Sequence, residues 1–313
     1  MKKFDILVVG ELNVDLILNR IERTPEVGKE VLAEDMALTL GSSSAIFASN
    51  ASTLGSNVAF VGRVGADSFG DLVIASLKSK GVATQFIRQS TQHSTGATIV
   101  LNFDQDRAMV TYPGAMRHLV EQDVSEELLL QSRHLHVSSV FLQTGIRSNL
   151  VSLFKRAKAL GLSTSIDPQW DPAEQWDLPL QHLLPHVDFF LPNVTELLAL
   201  TKTRSLHEAL ATQLSAPCVV VKAGDAGAYL WHNQQLLHQA PFLNTHVVDS
   251  IGAGDSFDAG FVHKFLTGGS LPECLEFGAL TGAINTTRPG GTGAFGNLEI
   301  VKEIARTTFN YTF

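Results

Sequence analysis

A glycine-rich turn runs directly into a predicted helix in the stretch Val248-Asp249-Ser250-Ile251-Gly252-Ala253-Gly254-Asp255-Ser256-Phe257-Asp258-Ala259-Gly260-Phe261. Gly252 and Gly254 allow the backbone to turn sharply and to point N–H groups inward. The helix that follows adds the positive end of its dipole at the same place. The stretch therefore predicts an anion pocket that suits a phosphate.

Asp255 lies at the start of this helix, beside the predicted anion pocket. Phe257, Phe261 and Phe265 are spaced four residues apart, so they predict one buried helix face with Asp255 at the mouth of the pocket. An Asp after a glycine turn is also a common helix cap. The two glycines and the length of the motif favour a catalytic carboxylate over a simple cap.

The motif resembles the signature of the ribokinase-like carbohydrate kinases, also called the phosphofructokinase-B family, whose pattern is D-T-x-G-A-G-D-x-F. Ser250 in place of Thr is the departure from it. The resemblance implies that the backbone of Gly252, Ala253 and Gly254 holds the transferring phosphate, and that Asp255 takes the proton from a sugar hydroxyl. These roles suit phosphoryl transfer, which depends mainly on positioning and on neutralising negative charge.

Length and composition predict one big domain, or a large one with a small appendage, and the resemblance implies a single kinase domain over residues 1–313. The chain has 44% hydrophobic residues, enough for a sizeable core, and a formal net charge of −8. That charge argues against broad nucleic-acid or acidic-membrane binding, and no segment approaches membrane-spanning length. Cys218 and Cys274 lack a C-x-x-C partner, which argues against a disulfide framework or a zinc site and favours a reducing cytoplasm.

Short apolar runs alternate with helical patterns along the chain. The predicted strands are Phe4–Val9, Val58–Val61, His134–Val137, Ser163–Ile166, Phe189–Leu191 and Cys218–Val221. The predicted helices include Ala45–Leu54, Phe69–Lys80, Ile146–Leu160 and Leu206–Leu214. This alternation predicts an α/β fold with a doubly wound, mainly parallel sheet flanked by helices.

Two segments interrupt the alternation. Lys29–Leu40 and Thr95–Tyr112 read as strands, the second as a hairpin turning at Asp104-Gln105-Asp106-Arg107. They predict a small antiparallel sheet, and the resemblance implies that it is a lid formed by residues 11–40 and 95–115. An edge extension of the main sheet is the alternative.

The sugar side of the site is predicted from two motifs. Ligands of doubly wound sheets bind beyond the carboxyl ends of the strands, which is where Asn13 and Asp15 follow the first strand. The resemblance implies that both hold sugar hydroxyls, whereas a solvated loop acid is the alternative for Asp15. The family's motif G-G-x-x-x-N-x-A corresponds to the stretch that contains Gly41, Ser42, Ser43 and Ile46.

That second motif departs from the family pattern at two positions. Ser42 replaces its second glycine, and Ile46 replaces the Asn that binds sugar. An apolar side chain cannot pair with a hydroxyl, so the departure predicts a substrate other than ribose.

The nucleotide side is predicted from motifs further along the chain. Asp167 resembles the acid of a D-x-N segment near the phosphates, and a turn acid is its alternative. Asn193 and Glu196 match the family's N-x-x-E, which organises magnesium through water. A capping pair at the helix start is the alternative there. Residues implied to wrap the nucleotide are Lys222, Gly224, Asp225, Gly227, Gly254 and Asn285.

Two further interpretations remain open on this side. Lys222 is either a phosphate ligand or a solvated lysine at a strand end. The resemblance also implies a monovalent cation, K+, held by Asp249 and the carbonyl of Ile251.

Other patterns argue against rival classes. Residues 291–296 spell G-x-G-x-x-G, but no strand leads into them and too little chain follows, so a dehydrogenase is disfavoured. His134 and His136 alternate on a strand without further ligands nearby, which favours packed histidines over a metal site.

The sequence thus predicts an ATP- and Mg2+-dependent kinase of a small sugar. A nucleoside kinase with a base pocket at Ile46 and Phe47 is the alternative within the family, and a non-catalytic sensor is the alternative outside it. Apolar lid residues Val31, Ile99 and Leu101 predict a homodimer formed through the lid.

Overall fold

The computed structural model describes residues 2–103, 106–212 and 214–313. Over these residues the chain forms thirteen strands: β1 (Phe4–Val9), β2 (Asn13–Ile21), β3 (Ala33–Leu40), β4 (Val58–Gly65), β5 (Ile87–Ser90), β6 (Gly96–Phe103), β7 (Asp106–Tyr112), β8 (Ser132–Ser138), β9 (Ser163–Asp167), β10 (Phe189–Phe190), β11 (Cys218–Lys222), β12 (Ala228–His232) and β13 (Gln235–Gln239).

Eleven α-helices connect the strands in the same described ranges. They are α1 (Ser43–Thr53), α2 (Ser68–Ser79), α3 (Glu126–Leu130), α4 (Thr144–Arg147), α5 (Leu150–Ala159), α6 (Leu180–Leu183), α7 (Val194–Thr201), α8 (Leu206–Ala211), α9 (Ala253–Leu266), α10 (Leu271–Asn285) and α11 (Leu298–Phe309). The predicted helix over 146–160 is interrupted at Ser148 and Asn149, so that α4 and α5 are separate. None of the described helices is long and apolar enough to cross a membrane.

Nine strands form the main sheet in the order β13-β12-β11-β10-β9-β8-β1-β4-β5. The strands from β11 to β5 pair in parallel, whereas β12 and β13 add an antiparallel hairpin at one edge. Residues Ile6 to Val9 of the central strand β1 are fully buried, as expected for a parallel strand covered on both faces. The doubly wound, mainly parallel fold predicted from the sequence is confirmed.

Two hydrophobic clusters cover the two faces of this sheet. On one face Phe47 of α1 and Phe261 of α9 pack with Ile6 and Val220. On the other face, helix α5 contributes Leu153 and Phe154, which pack with residues such as Leu135. The helices α1 and α9 thus lie side by side on one face, and their amino-terminal ends carry the residues of the candidate site.

A second sheet of four strands has the order β3-β2-β6-β7. The pairs β2–β3 and β6–β7 are antiparallel, as predicted, but β2 and β6 pair in parallel. The difference has a topological reason: α1, β4, α2 and β5 intervene between β2 and β6, so the connection is a crossover and not a hairpin. Within the turn predicted at 104–107, Asp104 and Gln105 lie outside the described residues.

One face of this second sheet is apolar across all four strands. The register aligns Leu38, Leu16, Ile99 and Val110 in one row that runs across β3, β2, β6 and β7. Ile99 and Leu38 are each 40% exposed, and Val110 is 64% exposed. The adjacent row on the opposite face contains Asp15 and three threonines, so the polar face carries a predicted substrate ligand.

Candidate active site

The turn before α9 has the geometry predicted for an anion pocket. Gly252 adopts a left-handed φ of 75° and is the N-cap of α9. A Cβ at this position would lie 2.6 Å from the Cα of Gly291 and 3.1 Å from Cγ2 of Ile46, so a glycine is required. The positive end of the 14-residue helix α9 therefore begins at a glycine turn.

Two side chains hold this turn in place. Asp249 accepts the N–H of Ile251 through Oδ1 at 2.9 Å and the N–H of Gly290 through Oδ2 at 2.8 Å. Asn285 donates Nδ2–H to the carbonyl of Ile251 at 2.6 Å and accepts the hydroxyl of Ser256 at 2.9 Å. Asn285 is fully buried behind the turn, a different position from the nucleotide contact that the resemblance implies.

Asp255 lies in the first turn of α9 and is 7% exposed. Burial and the nearby carboxylate of Asp167 together raise the pKa of its carboxyl to about 7, although Lys222 and a hydrogen bond with Ser43 oppose the increase. A carboxyl that titrates near neutrality can alternate between accepting and releasing a proton, which is the requirement for a general base.

Behind Asp255, a buried lysine is held between two acids. Lys222, the last residue of β11, donates to Oδ2 of Asp167 at 2.7 Å and to Oδ2 of Asp258 at 3.0 Å. Although burial alone would lower the pKa of Lys222, the two carboxylates raise it above its ordinary value. The interpretation of Lys222 as a solvated lysine at a strand end is therefore wrong.

Gln169, which no sequence motif singles out, joins the carboxylates of Asp167 and Asp255. Its Nε2 donates to Oδ2 of Asp167 at 2.6 Å and to Oδ1 of Asp255 at 2.9 Å. Gln169 also adopts a left-handed φ of 60°. Its place two residues after Asp167, where the family's D-x-N has the Asn, was the available signal.

Asn193 and Glu196 form a capping box at the start of α7. Oε2 of Glu196 accepts the backbone N–H of Asn193 at 2.9 Å, and Oδ1 of Asn193 accepts the backbone N–H of Glu196 at 2.9 Å. Glu196 is buried, which raises the pKa of its carboxyl to about 7, with a further increase from Asp167. The capping interpretation is thus confirmed, while a magnesium role for the pair stays a prediction.

A cavity of about 320 Å³ adjoins the amino-terminal end of α9. Its wall contains the predicted nucleotide residues Lys222, Gly224, Asp225, Gly227 and Gly254. The remaining wall is largely apolar, with residues such as Pro241, Phe242, Leu243, Val247, Phe257 and Ala283. A mainly apolar cleft that ends at a helix N-terminus can take a flat ring at one end and an anionic group at the other.

The predicted sugar ligands meet at the start of β2. Asn13 is 4% exposed and donates Nδ2–H to Oδ1 of Asp15 at 2.9 Å and to Oγ1 of Thr98 at 3.0 Å. A Cβ on Gly41 would lie 2.2 Å from Oδ1 of Asp15, so this glycine makes room for the carboxylate. Burial raises the pKa of Asp15 to about 6, and the acids Glu11 and Asp249 add to the increase.

The residues that depart from the family motif have structural roles of their own. Ser42 has a left-handed φ of 73°, accepts the N–H of Ala45 as the N-cap of α1, and donates to the carbonyl of Glu11 at 2.6 Å. Ile46 is 3% exposed and packs against Gly252 and Gly291. Ile46 therefore forms an apolar wall against the glycine turn of the anion pocket.

Glu11 is a second buried acid that the sequence analysis did not select. It is 1% exposed, accepts the N–H of Ser44 at 3.1 Å, and also accepts the hydroxyl of Ser44. Its burial raises the pKa of its carboxyl. The signal for Glu11 in the sequence was its position just after β1, close to Asn13 and Asp15.

The two strand histidines are packed in the core. His134 hydrogen-bonds to Ser163 and Ser165 at 2.8 and 2.7 Å, and His136 stacks on Phe47 with ring centroids 3.7 Å apart. Burial lowers the pKa of His134 to about 3, so the ring is neutral at physiological pH. The interpretation of these histidines as packed residues is confirmed.

Comparison with known proteins places the chain in a family. The family model described as pfkB family carbohydrate kinase matches residues 3–295. The chain belongs to this family, and the prediction of an ATP-dependent carbohydrate kinase with a ribokinase-like fold is thereby confirmed.

Several characterised relatives cover nearly the whole chain. A ribokinase of Lactococcus lactis is 26% identical over 300 residues, with 95% of each chain covered. A 5-dehydro-2-deoxygluconokinase of Lacticaseibacillus casei is 28% identical over 312 residues and covers 95% of this chain and 94% of its own. The structure of the Arabidopsis thaliana ribokinase complexed with ribose and ATP has a TM-score of 0.83 at 25% identity, covering 96% of this chain and 98% of that one.

Proposed function

We propose that this kinase transfers the γ-phosphoryl group of ATP to a hydroxyl of a small sugar derivative, with Asp255 as the base. One observation carries the assignment of roles: Asp255 lies in the first turn of α9, next to Gly254 of the cavity wall and three residues after Gly252, which packs against Ile46. A hydroxyl placed at this turn would therefore face both the transferring phosphate and the carboxylate.

In the proposed reaction, the sugar O–H bond breaks and its proton passes to Asp255. The hydroxyl oxygen forms the new bond to the γ-phosphorus, and the bond from that phosphorus to the bridging oxygen of ADP breaks. The backbone of Gly252, Ala253 and Gly254 and the positive end of α9 stabilise the negative charge that spreads over the phosphoryl oxygens. The cavity beside Gly254 is proposed to hold the nucleotide.

Magnesium is proposed to bind the phosphates, with Glu196 and Asp167 acting on it through water. The donor set fits this role, because carboxylates suit magnesium and Oδ1 of the buried Asp167 has no hydrogen-bond partner among the residues that the structure describes. In the described part of the chain, no three acidic, histidine or cysteine side chains converge as a direct metal site. When bound, the ion would neutralise charge on the phosphate oxygens.

A monovalent cation at Asp249 and the Ile251 carbonyl stays a prediction. Both groups already accept internal hydrogen bonds from the backbone and from Asn285. Their shared role is to shape the turn at Gly252, so K+ would act on the same turn. Replacing potassium by choline in the assay tests this point, because an unchanged rate would remove the cation from the account.

On the sugar side, Asn13 and Asp15 are proposed to hold substrate hydroxyls, with Gly41 and the first residues of α1, including Ser43, beside them. The buried polar pair supports this role, because Asn13 follows shortly after the carboxyl end of β1, and Asp249 in the turn before α9 is near enough to Asp15 to raise its pKa. Ile46 supports an acceptor with little polarity near the anion pocket, such as a deoxy sugar. The relative from Lacticaseibacillus casei is named for such a substrate.

The four-stranded sheet is proposed to close over the substrate as a lid within a single domain of residues 1–313, and to form a homodimer through its apolar face. Leu38, Ile99 and Val110 support the dimer because a row of exposed apolar side chains across a sheet is a common association surface.

A cytoplasmic location is proposed because Cys218 and Cys274 are both free and buried.

The nucleoside alternative loses one of the two residues that suggested it. Phe47 is fully buried and stacked on His136, so it offers no face to a base. A coupled assay of ADP release over sugars, deoxy sugars, sugar acids and nucleosides decides between these substrates. Acceptor-dependent ADP release by a sugar supports the proposal, whereas ATP binding without turnover of any acceptor would favour a sensor.

A further inference from the structure

Gln169 is placed so that its amide can control the orientation of Asp255. Both contacts of its Nε2 are to carboxylate oxygens, which only accept hydrogen bonds. The amide nitrogen must therefore face the two acids, because the amide oxygen would repel them. A neutral donor shared between Asp167 and Asp255 offsets the repulsion between the two negative charges.

Asp167, one of the two carboxylates that Gln169 contacts, is itself held in place. Asp167 is fully buried, and the same oxygen that accepts from Gln169 also accepts from Lys222 at 2.7 Å. Gln169 follows Pro168 and holds a left-handed backbone conformation, which few residues with a side chain adopt. A continuous line of short contacts thus leads from β11 through Asp167 and Gln169 to Oδ1 of Asp255.

We infer that Gln169 is a positioning residue that engages Oδ1 of Asp255 and leaves Oδ2 as the atom that accepts the proton of the sugar hydroxyl. The inference rests on the proposed role of Asp255 as the base. Without the amide, the carboxylate would keep its hydrogen bond with Ser43 but lose the donor on Oδ1, and a proton-accepting oxygen would face the hydroxyl for a smaller fraction of the time.

The surrounding charges give this role a signature in the pH profile. The charged groups that face Asp255 are Asp167 at the end of β9, Lys222 at the end of β11 and Glu11 after β1, and Asp258 of α9 is held by Lys222. Loss of the Gln169 donor removes a hydrogen bond from the charged form of Asp255 and leaves the neighbouring acids in place. The base should then become protonated at a higher pH.

The test compares Gln169→Met with Gln175→Met in the full-length protein. Methionine keeps the length of the side chain and removes the amide. Gln175 lies on the same loop and is exposed, and its side-chain amide donates to the carbonyl of Ala173 at 3.0 Å, so its variant controls for the loop. Kinetics use ATP and the best acceptor from the substrate screen.

For Gln169→Met we expect kcat to fall roughly 10- to 100-fold, because one charge-assisted hydrogen bond to the base is lost. The acid limb of kcat/KM should move up by about one pH unit, and KM for ATP should stay within about twofold. Gln175→Met should match the native enzyme. A native kcat and a native acid limb in Gln169→Met would overturn the inference.

Two further variants keep the outcome interpretable. Gln169→Asn tolerates a left-handed backbone but is one methylene shorter, so it cannot span both acids. It should show a smaller shift in the same direction, and native behaviour in a folded Gln169→Asn would also overturn the inference. Asp255→Asn is measured alongside: native turnover there refutes the proposed function, whereas an inactive Asp255→Asn with native Gln169 variants refutes the positioning role alone.

Discussion

The ammonium group of Lys222 lies 3.0 Å from Oδ2 of Asp258, and this ion pair ties the end of β11 to the second turn of α9. The side chain of Lys222 is 11% exposed and that of Asp258 is 1% exposed. The same ammonium group is 2.7 Å from Asp167. One lysine therefore compensates two buried acids directly beneath the anion pocket.

We expect Lys222→Met to destabilise the protein by about 3–5 kcal/mol, because it removes the cationic partner of two buried carboxylates. Thermal and urea unfolding would measure the change. Lys158→Met is the matched control, since the pair of Lys158 with Asp188 is 36% and 24% exposed and should contribute about 1 kcal/mol or less. Equal losses in the two variants would show that the buried cluster has no special role in stability.

The raised pKa of Asp255 predicts a pH dependence of stability. Its carboxyl has a pKa of about 7 in the folded protein against 3.8 in the unfolded chain. Between these values the folded state holds a proton that the unfolded state has released, so this group stabilises the fold less as pH rises from about 4 to 7.

Asp255→Asn lacks this titration and is the comparison that isolates it. Relative to the variant, the native protein should lose about 1.4 kcal/mol of unfolding free energy per pH unit within that interval. Urea unfolding at pH 5, 6, 7 and 8 measures the difference. Parallel curves for the two proteins would show that Asp255 has an ordinary pKa.

The main sheet and the motif at 248–261 were predictable because each is a local pattern. Apolar runs separated by glycine-terminated helices indicate parallel strands. In the motif, Gly252, Gly254 and Asp255 stand within four consecutive residues, so their pattern is visible in the sequence. The pairing of β2 with β6 was not predictable, because it depends on contacts between residues about 80 positions apart. Gln169 and Glu11 have ordinary residue types, and what distinguishes them is the set of acids and hydroxyls that the fold places beside them.

The apolar face of the four-stranded sheet predicts self-association. Ile99→Glu combined with Val110→Glu should convert the protein to a monomer at micromolar concentration, because charge would be placed in an apolar interface. Sedimentation velocity measures the change. Leu236→Glu, at a 48% exposed position on β13, serves as the control. A native protein that is already monomeric, or a dimer that survives the double substitution, would exclude this interface.

The packing of Ile46 on the anion pocket predicts substrate preference. Ribose should be a poor substrate for the native enzyme, because a hydroxyl beside Ile46 would stay unpaired at a cost of about 1–3 kcal/mol. Ile46→Asn combined with Ser42→Gly should improve kcat/KM for ribose relative to the native substrate. The glycine also suits the left-handed φ of 73° at position 42. Efficient ribose phosphorylation by the native enzyme, or an unchanged preference in the double variant, would show that these positions do not select the sugar.

The most direct test of the account is the turnover of Asp255→Asn together with its affinity for ATP. We expect turnover to fall at least ~100-fold, because general-base help is typically of that order, while the Kd for ATP stays within about twofold. Asp71→Asn, an exposed acid in the first turn of α2, controls for the loss of one charge at a helix start. Near-native turnover in a correctly folded Asp255→Asn would contradict the assignment of Asp255 as the base.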